Sequence, residues 1–302
     1  MGVFFGGSFV AKHALIVNLI AGNGRCRKIW PTIEGHLRAA SIDYHAFFTE
    51  KPGHAKDLAR EAVQSGFDTV VSVGGDGTLS EVVNGIYGTG ATLGVIPAGS
   101  GNDFCRSFAF DLKDIAQSCE VLVSGKSRPL DVGRVDGRYF INVGGAGFDA
   151  EVGNMANIWG KKHFPGYAAY VASILRVLLS FNPRELTIKM DGQELTRKCW
   201  LVAVGNAQYF GGGFWVTPNA DVADQLFDVC VVGETSKLEL LRVLPKVMKG
   251  AHLDHPAVDV YRASKVTIAG PKELVSQADG EIIGNLPVQF SIAEEQLQVI
   301  LP

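Results

Sequence analysis

The segment Val70-Val71-Ser72-Val73-Gly74-Gly75-Asp76-Gly77-Thr78-Leu79-Ser80-Glu81 constrains this chain more than any other. An apolar run of strand character enters a glycine cluster, and Leu79, Val82, Val83 and Ile86 follow at helical spacing. Glycines let a backbone approach a ligand closely, and a helix N-terminus offers free N–H groups with about half a positive charge. Those are the parts of a phosphate cradle. An aspartate there would repel phosphate, so Asp76 implies an intervening cation such as Mg²⁺, or an ordering role. A tight strand–helix turn with Asp76 as a helix cap is the plain alternative. The segment is not a P-loop, because the lysine and its following Ser/Thr are missing.

The surrounding pattern sets the fold class. Strand-like runs at Ala14–Asn18, Ile42–Phe48, Thr69–Val73 and Ala91–Ile96 alternate with helical stripes such as Ile29/Ile33/Leu37 and Ala55/Leu58/Ala59/Ala62/Val63. A further helix, carried by Leu112, Ile115, Ala116, Cys119 and Leu122, stops at Gly125. This alternation predicts an α/β, Rossmann-like domain with a mostly parallel sheet. Beyond Gly125–Arg128 the pattern turns β-rich. Asp136-Gly137 joins Leu130–Val135 to Arg138–Val143, and Asp191-Gly192 joins Glu185–Met190 to Glu194–Val204, each as a hairpin turn. Strands are expected at Leu226–Val232, Val258–Ile268, Glu281–Phe290 and Gln296–Leu301, and helices at Gly166–Phe181 and Lys237–Lys249. Residues 1–127 are thus expected to bind nucleotide. Residues 128–302 are expected to form a β-sandwich-like, acceptor-binding domain whose C-terminal tail can pack back on the first.

Composition excludes several classes. A hydrophobic share of 47% and a charged share of 20% over 302 residues describe a globular chain. A net charge of −3 gives no global pointer to nucleic acid. The 5 cysteines lack CxxC spacing, so neither a zinc site nor a disulfide framework is indicated, and a reducing, cytoplasmic compartment fits. The glycine-broken first ten residues read as a disordered or vector-derived start, not a signal peptide. The longest apolar run, Tyr167–Phe181, is interrupted by Arg176 and is too short to span a bilayer, so membrane contact would be peripheral. Lys161-Lys162-His163 ahead of that run suits either an anionic membrane or a solvated turn. Arg25, Arg27 and Lys28 read by default as a surface cluster, and His252 and His255 as a loop.

A second turn, Pro97-Ala98-Gly99-Ser100-Gly101-Asn102-Asp103-Phe104, follows the next parallel strand, and Asn18 to Gly22 ends the first. In an open α/β sheet these turns share one edge. With Asp131-Val132-Gly133, Asn142-Val143-Gly144-Gly145-Ala146-Gly147-Phe148-Asp149, Pro218-Asn219-Ala220 and Asp279-Gly280-Glu281, the ordered set resembles the catalytic domain of diacylglycerol kinases, sphingosine kinases and their bacterial lipid-kinase relatives. The GGDGT element alone is shared with NAD kinases and phosphofructokinases.

The resemblance implies an ATP- and Mg²⁺-dependent kinase of a lipid hydroxyl. Asn18, Leu19, Ile20, Ala21, Gly22, Thr49, Gly75, Asp76, Gly77, Thr78, Leu79, Ser80, Glu81 and Ser100 match its nucleotide-contacting stretches. Glu281 matches its general base, and Asp76 its catalytic aspartate. Asp221, Asp224 and Leu226, the last through its carbonyl, match a structural Mg²⁺ site. Ser100 stands where threonine is common and Ser80 where asparagine is. Gln225 stands where glycine follows the metal-site aspartate, and would be strained if φ is positive there. The implied partner is a lipid at a membrane surface, with no nucleic acid, and a homodimer is compatible. A soluble kinase of a polar alcohol and a silent nucleotide-binding regulator are the alternatives.

Overall fold

The computed structural model describes residues 13–108, 110–124, 126–164 and 166–302. The reading of residues 1–10 therefore lies outside the described residues, as does Gly125 at the expected boundary. Strands β1 (His13–Val17), β2 (Tyr44–Phe48), β3 (Thr69–Gly74) and β4 (Thr92–Pro97) are parallel. They are joined by helices α1 (Ala21–Ala39), α2 (His54–Gln64) and α3 (Asp76–Ile86). The near-continuous apolar runs of β1 and β3 follow from burial on both faces of the sheet. Close packing of α2 on α3 needs Gly85, where a Cβ would sit 2.5 Å from the Lys56 carbonyl oxygen. The chain then passes through α4 (Asp103–Arg106), α5 (Ile115–Ser124) and β5 (Ser127–Leu130).

The second sheet is antiparallel throughout its described pairings. It comprises β6 (Gly133–Val135), β7 (Arg138–Phe140), β8 (Val143–Gly147), β9 (Arg184–Met190), β10 (Gln193–Gly205), β13 (Phe227–Gly233), β14 (Val258–Ala263), β15 (Lys265–Ala269), β16 (Val275–Ala278), β17 (Glu281–Asn285) and β18 (Val288–Ile292). A two-stranded hairpin, β11 (Tyr209–Phe210) with β12 (Phe214–Trp215), stands apart from it. The first half of β10 pairs with β9; past an irregularity at Cys199–Leu201 the second half pairs with β8 and β13. That change of partners turns the sheet into a sandwich, whose interior holds Phe140 against Phe227 and Phe290. Helices α6 (Phe148–Met155), α7 (Lys161–His163), α8 (Gly166–Ser180) and α9 (Lys237–Val247) cover one side, with a π-helical turn at Ala156–Gly160.

Both hairpin turns form, with Asp136, Gly137, Asp191 and Gly192 all at positive φ, as a type I′ turn requires. Four expected strands are each divided. Leu130–Val135 gives β5 in the first sheet and β6 in the second, parted where Asp131 N–H donates to the Val222 carbonyl. Arg138–Val143 gives β7 and the start of β8, parted where the Ile141 and Asn142 N–H groups turn to the Asp279 carboxylate. Val258–Ile268 breaks at Ser264, whose N–H and hydroxyl bind the Asp191 carboxylate. Glu281–Phe290 breaks before Pro287, which has no N–H for a ladder. The last strand, β19 (Leu297–Ile300), forms where expected but inserts between β4 and β5, giving the first sheet the order β2-β1-β3-β4-β19-β5.

Candidate active site

In this order β1 and β3 are neighbours whose connections leave in opposite directions, so a crevice opens at their C-terminal ends. The three glycine turns meet there. Gly22, at φ +61°, lies so close to the second turn that a Cβ would be 2.7 Å from the Ala98 carbonyl oxygen. A Cβ on Gly99 would be 2.3 Å from Gly75 Cα. Asn18 Nδ2 donates to Thr78 Oγ1 at 3.0 Å, and Asn18 Oδ1 accepts from Ile20 N–H at 3.2 Å, tying the first turn to the helix start. Asn102 closes the second turn, accepting from Gly99 N–H at 3.0 Å and donating to the Gly99 carbonyl at 3.1 Å. Arg25 is not a free surface cation: its guanidinium donates to the carbonyls of Gly99 and Leu112.

The other residues expected to contact nucleotide surround this edge. Thr49 N–H donates to the Val17 carbonyl, which carries it to the end of β1. Ile20, Gly77 and Ser100 are exposed, Leu19, Ala21 and Gly75 partly so, and Leu79 is core, leaving only its backbone for a ligand. The Glu81 carboxylate accepts from Gly53 N–H at 2.8 Å and Ala55 N–H at 3.0 Å, so it caps α2.

Asp76 begins α3, and its Oδ1 accepts from Phe104 N–H at 3.3 Å. Beside it lies Asp103, which the sequence reading quotes within a motif without assigning it a role. Asp103 Oδ2 accepts from Gly212 N–H at 2.7 Å; its buried Oδ1 has no hydrogen-bond partner among the described residues, and Arg106 Nε stands 3.7 Å away. Burial, then the like charge of Asp76, pushes the Asp103 carboxyl up to about 7. Burial also raises Asp76. Two adjacent carboxylates with an orphaned oxygen fit Mg²⁺, which is held with phosphates through one or two carboxylates.

Across the crevice, the Asp279-Gly280-Glu281 turn is anchored by its first residue. The Asp279 carboxylate accepts N–H bonds from Ile141, Asn142 and Val143 at 3.0, 2.9 and 3.2 Å, so it is a bonded anchor of the turn and not a solvated carboxylate. Glu281 is left half-exposed, paired with Arg138 at 3.5 Å. It shares a cleft with Ser80, Glu81, Lys56 and Arg138.

The Asp221–Leu226 loop has a different arrangement. Arg262 is ion-paired with Asp224 Oδ2 and stands 3.4 Å from Asp228 Oδ1. Asp221 Oδ1 accepts from Ala223 N–H and Asp224 Oδ1 from Leu226 N–H. Among the described residues no three or more His, Cys, Asp or Glu converge as for a metal. In this arrangement the Arg262 guanidinium supplies the positive charge beside Asp224. Gln225 has φ +61°, which meets the condition under which glutamine is strained.

Sequence reasoning missed an apolar cavity between α8, α9 and the sandwich. Its lining includes Phe148, Ile174, Phe210, Phe214, Val243 and Leu244, with Asp149, His252 and His255 among them. The cavity is about 110 Å³ in volume, below the ~300–1,000 Å³ of pockets that enclose a whole drug-sized ligand, so it has room for only part of a ligand of that size. Its signal in the sequence is spread over α6, α8, β10–β13 and α9. The β11–β12 hairpin joins cavity to crevice: Phe210 and Phe214 line the one, and Gly212 at its tip binds Asp103 in the other.

Comparison with known proteins agrees with this geometry. Residues 12–135 match the diacylglycerol kinase catalytic domain, and residues 142–301 match the YegS C-terminal NAD kinase beta sandwich-like domain. The diacylglycerol kinase of Mycobacterium tuberculosis (strain ATCC 25618 / H37Rv) is 31% identical, covering 97% of this chain and 96% of that one. That of Bacillus subtilis (strain 168) is 30% identical, covering 96% of each. A diacylglycerol kinase structure from Bacillus anthracis str. Sterne superposes with a TM-score of 0.74 at 24% identity, covering 98% of each chain. A second structure from that organism gives 0.80 at 26% identity, covering 98% of this chain and 99% of that one. The chain belongs to the diacylglycerol kinase family, and is a phosphotransferase with an alcohol group as acceptor.

Proposed function

We propose that this enzyme transfers the γ-phosphate of ATP to the hydroxyl of diacylglycerol or a related lipid taken from a membrane surface. The observation that carries this reading is the apolar cavity joined by one hairpin to the Asp76–Asp103 pair. A polar acceptor gains nothing from walls of Val, Leu, Ile and Phe, whereas an acyl chain gains roughly 0.8 kcal/mol per buried methylene.

In this reading the triphosphate lies over Gly22, Gly75 and Gly99, where only hydrogen-sized side chains fit, facing the free N–H groups that open α3. Asp76 and Asp103 hold Mg²⁺, which when bound neutralises charge on the β- and γ-phosphates. Thr49 and Ser100 border the nucleotide. Glu281 accepts the proton of the attacking hydroxyl, a contribution of about 10²–10⁴ in rate. Asp279 fixes the turn that carries it, and Arg138 restrains its side chain.

The lipid enters from the α8–α9 side. Leu175, Leu179, Leu238 and Leu241 are exposed there, while Ile174, Leu240, Val243 and Leu244 turn toward the cavity. Exposed Lys246 and Lys249 suit anionic headgroups. No helix of the described residues is long and apolar enough to cross a membrane; in this reading contact through the α8–α9 face is peripheral, on the cytoplasmic side where ATP is supplied.

The test is γ-labelled ATP with Mg²⁺, offered diacylglycerol in mixed micelles in one reaction and NAD⁺ in another. Label in the organic phase is expected. Label confined to NAD⁺ would replace this reading with a kinase of a polar alcohol. ATP bound with no transfer would favour the silent regulator.

A further inference from the structure

The cavity holds polar groups that phosphoryl transfer does not use. Asp149, on α6, lines it, and Asp149 Oδ2 accepts a hydrogen bond from Gln277 Nε2 at 3.2 Å. Its Oδ1 is buried and has no well-formed hydrogen bond among the described residues, the nearest donors being the backbone N–H groups of Asp149 and Ala150 beside the carboxylate. His252, 2% exposed, lines the same cavity. Its Nε2 is 2.9 Å from the Val216 carbonyl oxygen, so Nε2 carries the proton and Nδ1 is left as an acceptor. Nδ1 too is buried and unpartnered among the described residues. Buried polar atoms are nearly always hydrogen-bonded, so two such acceptors on residues that line one cavity call for a donor from outside the chain.

We propose that Asp149 and His252 form a recognition point for an O–H or N–H of the bound lipid other than the hydroxyl that is phosphorylated. This rests on the reading that the acceptor lipid occupies the cavity. A diacylated glycerol has no such second donor; a monoacylglycerol offers a hydroxyl, and an N-acyl sphingoid base offers an amide N–H as well. The recognition point is also tied to the chemistry. Gln277, which holds Asp149 through Nε2, accepts through Oε1 from Gly280 N–H at 3.0 Å. A lipid anchored at Asp149 is thereby registered against the turn that carries Glu281.

The experiment measures binding and turnover of three lipids of matched short chain: monoacylglycerol, N-acyl sphingoid base and diacylglycerol. It is run well above pH 6, where Asp149 is ionised and can only accept. The proteins are wild type, Asp149→Asn, His252→Gln and Val243→Phe. Glutamine at 252 keeps a donor for the Val216 carbonyl and removes the Nδ1 acceptor. Wild type is expected to bind one or both donor-bearing lipids about tenfold or more tightly than diacylglycerol, the size of one hydrogen bond to a charged group. His252→Gln and Asp149→Asn are expected to erase that preference while leaving diacylglycerol affinity within about threefold. Equal affinities for all three in wild type, or equal losses for all three in the variants, would overturn the proposal, the second by reducing both residues to structural roles or water ligands. If Val243→Phe leaves every affinity unchanged, or wild type binds no lipid, the cavity is not the acceptor site and both readings fall. Selective binding without phosphate transfer would sink the kinase reading alone.

Discussion

At Gln225 an L-residue holds the left-handed conformation that favours glycine, φ +61°. That conformation costs roughly 1–2 kcal/mol, offset here by the N–H bond to Asp131 Oδ2 at 2.6 Å. Gln225→Gly keeps the bond, so urea unfolding should show a gain of about 1 kcal/mol; a loss would mean that the side chain itself holds the loop. Asp103 carries the opposite kind of tension, a buried charge beside Asp76. Asp103→Asn should raise the melting temperature of the nucleotide-free protein at neutral pH. Its initial rate with Mg²⁺ and ATP should fall by about tenfold or more, the size of one lost charged contact. A variant as active as wild type would remove Asp103 from the metal site. Burial takes Asp149 from 3.8 to about 6, so the folded state holds this proton more tightly than the unfolded. The stability it contributes is complete below about pH 4 and is lost as pH rises through about 6. The melting temperature of Asp149→Asn minus that of wild type should therefore climb across this window and level off above it. A difference that is flat with pH would contradict the assignment.

The elements explain what a reader of the sequence can and cannot see. The glycine turns were legible because each combines a strand end, small residues and a helix start within a few positions. Their mutual contact was not, because it depends on strand order. Gly99→Ala tests that contact: its Cβ would fall 2.3 Å from Gly75 Cα, so the turns must part. Overpacking of this kind costs about 1–3 kcal/mol, and ATP affinity should fall with stability in a binding titration. The hairpins at Asp136-Gly137 and Asp191-Gly192 were legible from their turn chemistry. The breaks at Asp131 and Ser264 were not, because each is set by a hydrogen bond to a residue distant in sequence. Helix α6 was hidden behind the glycines of β8, which lie against the neighbouring strand and Phe290 instead of announcing a loop. For the same reason nothing local in the sequence singles out Asp149, Asp103 or Asp279; their weight comes from burial that no local pattern encodes.

The whole molecule is closed by its last strand. β19 returns from the sandwich into the first sheet, placing Leu297, Val299, Ile300 and Leu301 in the core beneath the nucleotide crevice. Asn84 of α3 and Tyr87, just past its end, add a second tie, Tyr87 stacking on Tyr139 at 3.9 Å and Asn84 bonding its backbone. Removing residues 297–302 should therefore weaken ATP binding although no nucleotide contact is deleted, which a titration of the truncated protein checks. These ties hold the Glu281 turn opposite the glycine turns, and the central claim is that phosphate crosses between them to a lipid in the cavity. The most direct measurement is the initial rate of labelled phosphate transfer to diacylglycerol by wild type, Glu281→Gln and Val243→Phe, with ATP affinity measured on each. The account predicts lipid label from wild type and a loss of about 10²–10⁴ in Glu281→Gln at unchanged ATP affinity. It also predicts a raised lipid KM in Val243→Phe. Full activity in Glu281→Gln, or a filled cavity that leaves the lipid KM untouched, would contradict it.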